Sequence, residues 1–87
     1  MQVGDKLYCK ISFTNPDYPL FKCKKGDIVT INRYEKDEDG ITLKTVNSSG
    51  IDSWFYIIKK NSARKSIPYL WNYFRNINKI RRIANEF

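Results

Sequence analysis

The hydrophobic pattern of this chain changes period between residues 60 and 67, and this change restricts the fold more than any other feature. Over residues 1–60, apolar side chains alternate with polar ones, which is the period of half-buried strands. From Leu70 onward, apolar side chains recur every three or four residues, as in an amphipathic helix. Charge changes at the same point: residues 1–60 carry ten basic and eight acidic side chains, whereas 61–87 carry six and one. The sequence therefore predicts a β unit followed by a basic helix.

The β unit contains four runs with strand character. They are separated by turn residues at intervals of roughly 8–12 residues, which is typical of a small barrel. The chain is mainly β in this reading, with a small barrel followed by a C-terminal helix. The four runs are 7–13, 28–31, 41–46 and 54–58.

The helix is predicted over about residues 67–86, with Ser66 as its cap and Pro68 in its first turn. Its apolar stripe packs on the barrel, on a partner or on a second copy of the chain as a homodimer. The chain is thus divided into a barrel over 1–60 and an appended helix over 61–87. The stripe consists of Leu70, Tyr73, Ile77, Ile80, Ala84 and Phe87.

Basic side chains on the opposite helix face are the best candidates for a binding site, because only Glu86 offsets their charge. The alternative is an ordinary solvated helix face. Trp71 lies at the border of this face, where it can serve as a stacking or hot-spot residue or pack on the barrel. A second basic group follows the first loop and either extends the binding face or protects a strand edge. The basic candidates are Arg75, Lys79, Arg81, Arg82, Lys22, Lys24 and Lys25.

The composition argues against an enzyme. The chain contains no histidine, which removes the usual general base and every imidazole metal site. It has no Gly-rich phosphate loop, metal motif or nucleophile elbow. The acidic residues within 35–39 are interpreted as a solvated hairpin tip. We therefore expect no catalysis, no cofactor, no metal and no small-molecule substrate.

Two cysteines and the N-terminus bear on the compartment. Cys9 and Cys23 do not form a CxxC motif, and they are expected to be buried, reduced thiols, although their spacing also permits a disulfide. The N-terminus lacks an apolar leader, and no run is long enough to span a bilayer. A cytoplasmic protein without a transmembrane segment is predicted.

The string from Leu20 to Val29 resembles the diverging turn of SH3 domains, with Lys25-Gly26-Asp27-Ile28 as its most specific part. Asn47–Gly50 matches the distal hairpin of that family, and Trp54-Phe55 begins its closing strand. The likeness covers about residues 4–60, and it implies an SH3-like five-stranded barrel over these residues, followed by the basic helix. It is closest to the small SH3-like proteins of bacteriophages and low-GC bacteria.

The same comparison limits the function that the resemblance implies. Peptide-binding SH3 domains carry paired tryptophans where this chain has Ile41 and Thr42, so a proline-rich ligand is not expected. The net charge of +7 favours an acidic partner. The first hypothesis is a non-catalytic, phage-type accessory protein that contacts nucleic acid or a nucleoprotein machine through the basic helix. The alternatives are a phage-type protein that docks on the acidic face of a host protein and modulates it, and attachment of the helix to a membrane surface.

Overall fold

The computed structural model of the protein describes residues 1–60 and 67–77. Over these residues the chain is mainly β. The elements are β1 Lys6–Cys9, β2 Phe13–Thr14, β3 Lys22–Cys23, β4 Ile28–Asp37, β5 Gly40–Val46, β6 Asp52–Lys59, a 3-10 turn at Leu70–Asn72, and β7 Phe74–Asn76. Five strands form one curled antiparallel sheet in the order β6-β5-β4-β1-β7, and β2 and β3 form a separate two-stranded ribbon.

Alternation along the strands places one face of the sheet in the core. Leu7 and Cys9 are fully buried on β1, as the sequence predicts. Ile11, predicted to continue this strand, is 52% exposed because β1 ends at Cys9. On β5 and β6, Leu43 and Phe55 lie opposite one another and are both buried. The core comprises Leu7, Cys9, Phe21, Cys23, Val29, Ile31, Leu43, Phe55, Leu70 and Phe74.

The β2–β3 ribbon covers the open side of the curled sheet. The Phe13 ring lies edge-on to Phe55 at 6.2 Å and to Phe74 at 5.5 Å, and it stacks on Tyr73 at 4.1 Å. Phe21 adds a further edge-on contact with Phe55 at 5.7 Å. Aromatic pairs in these geometries add stability beyond the area they bury. The ribbon is therefore part of the core rather than a peripheral loop.

The predicted C-terminal helix is wrong over the described residues. None of the elements within 1–60 and 67–77 is an α-helix. The segment that follows Pro68 instead makes one 3-10 turn and then β7, which pairs antiparallel with β1. In this register Phe74 lies opposite Cys9, and Asn76 lies opposite Leu7. The fifth strand of the sheet thus comes from the segment that was predicted to be helical.

Packing explains why the helical spacing misleads. Leu70 and Phe74 are four residues apart and both buried, but a 3-10 turn followed by a strand also brings them to one core. Aromatic and asparagine side chains are poor helix formers, and β1 has an edge on which a strand gains backbone hydrogen bonds. The basic helix and the dimer through its stripe are therefore not supported. The rest of that prediction lies outside the described residues: Ile80, Ala84, Phe87 and the cap Ser66.

Two smaller sequence predictions have definite outcomes. Cys9 and Cys23 are both buried and carry free thiols. Among the described residues, no helix has the length and apolar character needed to cross a membrane.

Candidate functional site

An open groove of about 640 Å³ runs between the β2–β3 ribbon and the turn that joins β5 to β6. Phe13 and Cys23 contribute its apolar lining, and the remaining side chains are polar. Two of the predicted basic residues, Lys22 and Lys24, lie on this groove. The full lining is Ser12, Phe13, Thr14, Lys22, Cys23, Lys24, Asp27, Ser48 and Ser49.

A buried asparagine fixes one wall of the groove. The Asn47 side chain donates from Nδ2 to the carbonyl oxygen of Lys22 at 3.0 Å. Its Oδ1 accepts from the backbone N–H groups of Ser49 at 3.0 Å and Ile51 at 2.9 Å. Asparagine is favoured in such turns because its side chain bonds the backbone two residues ahead. The turn that carries Ser48 and Ser49 is therefore attached directly to β3.

The lysine-bearing turn between β3 and β4 is fixed in the same way. The Lys24 N–H donates to Asp27 Oδ2 at 2.9 Å, and the Lys25 N–H donates to Ser12 Oγ at 2.9 Å. Gly26, at a φ of 99°, donates its N–H to the carbonyl oxygen of Cys9 at 2.8 Å. Only glycine adopts this backbone conformation without strain. The groove is thus formed before any ligand arrives.

The groove is positively charged. Lys22, Lys24 and Lys25 are exposed, and none of them forms an ion pair with another residue in the part of the chain that the structure describes. Asp27 is the one acidic side chain in the lining, and its Oδ2 accepts the Lys24 N–H. Ser48 and Ser49 line the same groove as Lys22 and Lys24, and serine hydroxyls can donate hydrogen bonds. This arrangement suits an anion such as a phosphate.

The thiols of Cys9 and Cys23 are not suited to nucleophilic chemistry or to metal binding. Burial raises the pKa of the Cys23 thiol to about 12 and also raises that of Cys9. The thiolate is the nucleophile and the metal ligand, and both thiols are protonated at neutral pH. No group of three or more potential metal ligands occurs within residues 1–60 and 67–77.

The other predicted site residues are not part of the groove. Trp71 lies on the 3-10 turn and packs, partly buried, against the core. Arg75 is exposed on β7, opposite Tyr8 of β1. The structure therefore brings Lys22 and Lys24 together, with Lys25 in the adjoining turn. The remaining candidates Lys79, Arg81 and Arg82 lie outside the described residues.

Sequence reasoning missed a row of aromatic side chains on the outer face of β6. Ser53 and Phe55 are buried, so Trp54 and Tyr56 lie on the opposite face of the strand. Lys44 Nζ lies 5.9 Å from the Trp54 ring centroid, and Lys59 Nζ lies 5.5 Å from that of Tyr56. The spacing of Trp54 and Tyr56 by two residues within a strand was the signal that could have found this row.

A second missed feature is the exposed loop between β2 and β3. Tyr18 is 43% exposed and Leu20 is 65% exposed. The loop is ordered by Asn15, which is buried, donates from Nδ2 to Ser53 Oγ and accepts the Asp17 N–H at 2.9 Å. Its apolar side chains are therefore presented on a fixed backbone.

Comparisons of the chain with protein-family models, with curated proteins and with solved structures found no match.

Proposed function

We propose that the chain is a non-catalytic nucleic-acid-binding protein. The groove lined by Lys22 and Lys24, which we call the lysine groove, contacts backbone phosphates. The observation that carries this proposal is the fixed groove itself. Lys22 and Lys24 line it without an acidic ion-pair partner in the described chain, and Ser48 and Ser49 line it as well. The C-terminal basic helix has no part in the proposal.

The proposal includes an SH3-like identity for the curled sheet and a role as a phage-type accessory protein. The identity is supported by the order of features along the chain. The turn at Gly26 and the hairpin turn that follows Asn47 occur where the resemblance implies them, although the strand that closes the sheet is β7 and not the strand that carries Trp54. The phage-type role rests on the resemblance alone.

Phosphates are the chemically suitable ligands for this groove. A net charge of +7 attracts polyanions at long range. Lysine side chains and serine hydroxyls are common phosphate contacts, and such contacts position a protein on nucleic acid without reading its sequence. Binding by the groove should therefore depend strongly on salt and weakly on sequence.

A fluorescence anisotropy titration against labelled nucleic acid at several salt concentrations tests this proposal. Two or three phosphate contacts give a slope of about −2 to −3 when the logarithm of the binding constant is plotted against the logarithm of the salt concentration. Replacing Lys22 and Lys24 together by glutamine should weaken binding equally for all sequences and shorten the slope by about two.

The matched control replaces Lys36 and Lys60, which are exposed and do not line the groove, by glutamine. It removes the same charge and should retain most of the slope. Equal losses in the two double variants would show that the net charge acts without a site. Affinity no tighter than millimolar at low salt would reject the proposal.

A second candidate function, docking on a host protein, is favoured by the loop that exposes Tyr18 and Leu20. An apolar side chain on a fixed loop loses little conformational entropy when a partner covers it. Affinity capture from host lysate after nuclease treatment should then recover a partner with the wild-type chain but not with Leu20→Ser. Recovery that disappears on nuclease treatment would favour the first function instead.

A further inference from the structure

We infer that the outer face of β5 and β6 is a second binding site, on which the bases of a single-stranded nucleic acid stack against Trp54 and Tyr56. This site is separate from the lysine groove, since neither ring lines it. It goes beyond the proposed function because it selects unpaired bases, whereas the groove recognises phosphates alone.

The two rings are spaced along one strand face. Residues two apart in a strand are about 6.8 Å apart along its axis, so each ring can receive one base. Tyr69 supports the Tyr56 ring. The two ring centroids are 5.1 Å apart, and the two residues form a backbone bridge. Both Trp54 and Tyr56 are half-buried, which holds the rings in place and leaves part of each accessible.

Each ring already carries a cation. Lys44 lies across the β5–β6 pair from Trp54 with its Nζ over the indole, and Lys59 lies over Tyr56. A ring face over which a mobile lysine side chain lies can be reached by a planar base when that side chain moves aside. Base stacking is worth more than a cation–π contact at an exposed site, so a base displaces the ammonium.

The displaced ammonium groups define the charge of the ligand. Lys44 also contacts Asp52 at 3.5 Å, but this is a partly exposed ion pair that contributes little. Lys59 has no ion-pair partner in the described ranges 1–60 and 67–77. The occupant must therefore offer planar rings and anions in alternation. A single strand offers both, whereas a duplex encloses its bases.

The test compares two labelled oligonucleotides of about ten nucleotides: oligothymidylate, and an abasic strand with the same phosphates. The wild-type chain should bind oligothymidylate more tightly, by roughly 5- to 100-fold for each base that stacks. Trp54→Ala should reduce this preference to the part that stacking on Tyr56 alone provides. Tyr18→Ala, which removes an exposed aromatic ring from the loop instead, should retain the whole preference.

Two further measurements address variants that fail to fold. Trp54→Phe preserves a ring and should keep most of the preference for bases. In a Trp71→Phe background, Trp54 is the sole tryptophan, and its fluorescence should be quenched by oligothymidylate but not by the abasic strand. Equal affinity of the wild-type chain for both strands, or unchanged Trp54 fluorescence, would overturn the inference.

Binding measurements distinguish the lysine groove from the stacking face, which is the face that carries Trp54 and Tyr56. Replacing Lys22 and Lys24 by glutamine should weaken binding of both strands alike and leave their ratio intact. If these lysine changes have no effect on affinity and the ratio of the two affinities persists, the groove is rejected and the stacking face is retained. A steep salt slope with no preference for bases would do the opposite.

Discussion

Gly40 and Gly26 both have positive φ angles, of 132° and 99°, but the chain needs them for different reasons. Gly40 begins β5 opposite Lys59, and a Cβ at this position would overlap the backbone carbonyl of Ile58. Around Gly26 no atom lies within 4 Å of the site of a Cβ. Gly40 therefore permits both the close contact between β5 and β6 and a positive φ angle, whereas Gly26 permits only the positive φ angle.

Alanine at these two positions should separate strain from overlap. Gly26→Ala should lower the free energy of unfolding by about 1–2 kcal/mol, the usual cost of a left-handed alanine. Gly40→Ala should lower it by about 3 kcal/mol or more, because β5 and β6 must also move apart. Urea titrations followed by circular dichroism measure both. Equal losses would contradict the contact with Ile58.

Burial of Cys23 predicts how stability depends on pH in the alkaline range. Its pKa rises from 9.0 to about 12 on folding, so the folded chain keeps a thiol proton that the unfolded chain loses. Stability is therefore fully present below about pH 9 and falls as the pH approaches 12. Denaturant titrations between these values should show this decline, and Cys23→Ala should reduce its slope. A slope unchanged in the variant would assign the decline to other groups.

At the scale of elements, β7 gives β1 its second neighbour. Leu70 and Phe74 fill the core beside it, and the Lys10 N–H donates to the carbonyl oxygen of Tyr73 at 2.9 Å. A chain cut after Lys60 loses all three contributions, and burial of a large apolar side chain alone contributes about 1.5–3 kcal/mol.

Truncation after Lys60 should therefore unfold or aggregate the protein, whereas truncation after Ile77 should leave it folded. Size-exclusion chromatography and thermal unfolding of the two shortened chains make the comparison. A stable, monomeric 1–60 chain would show that the first sixty residues form a complete β unit, as the division at residue 60 predicts.

Local patterns predicted the strands but not the closure of the sheet. Alternation around Leu7 and the β-branched run after Asp27 locate β1 and β4, since one face of each is buried, although β1 ends earlier and β4 extends further than predicted. β7 was missed because the preference of its residues for a strand depends on the free edge of β1. That edge is a tertiary feature, which no local window contains.

The candidate site was predictable to a similar extent. Lys22 and Lys24 were identified from their charge alone, and the structure adds the facing turn with Ser48 and Ser49. That juxtaposition depends on Asn47 bonding to β3 across 25 residues of chain. The cations on the predicted helix were grouped by a periodicity that does not hold at Arg75, which lies on a strand.

At the scale of the whole molecule, positively charged side chains outnumber negatively charged ones. The net charge is +7, and the ion pairs within the described residues, Arg33–Glu35 and Lys44–Asp52, are partly or largely exposed and contribute little. Salt screens the repulsion among the excess cations more than it weakens these pairs.

The melting temperature should therefore rise by a few degrees when sodium chloride increases from about 10 mM to about 300 mM at pH 7. Differential scanning calorimetry measures the change. Glutamine at Lys36 and Lys60 lowers the net charge and should reduce the effect. A melting temperature that falls with salt would mean that ion pairs dominate over repulsion.

The pairing of Cys9 with Phe74 has a consequence for refolding. The two residues lie far apart in the chain, so their contact requires closure of a long loop, which is a slow step. Until β7 pairs with β1, the other strands leave β1 with one bare edge, and such an edge can pair with another copy of the chain. The yield of correctly folded protein after dilution from denaturant should therefore fall as the protein concentration rises.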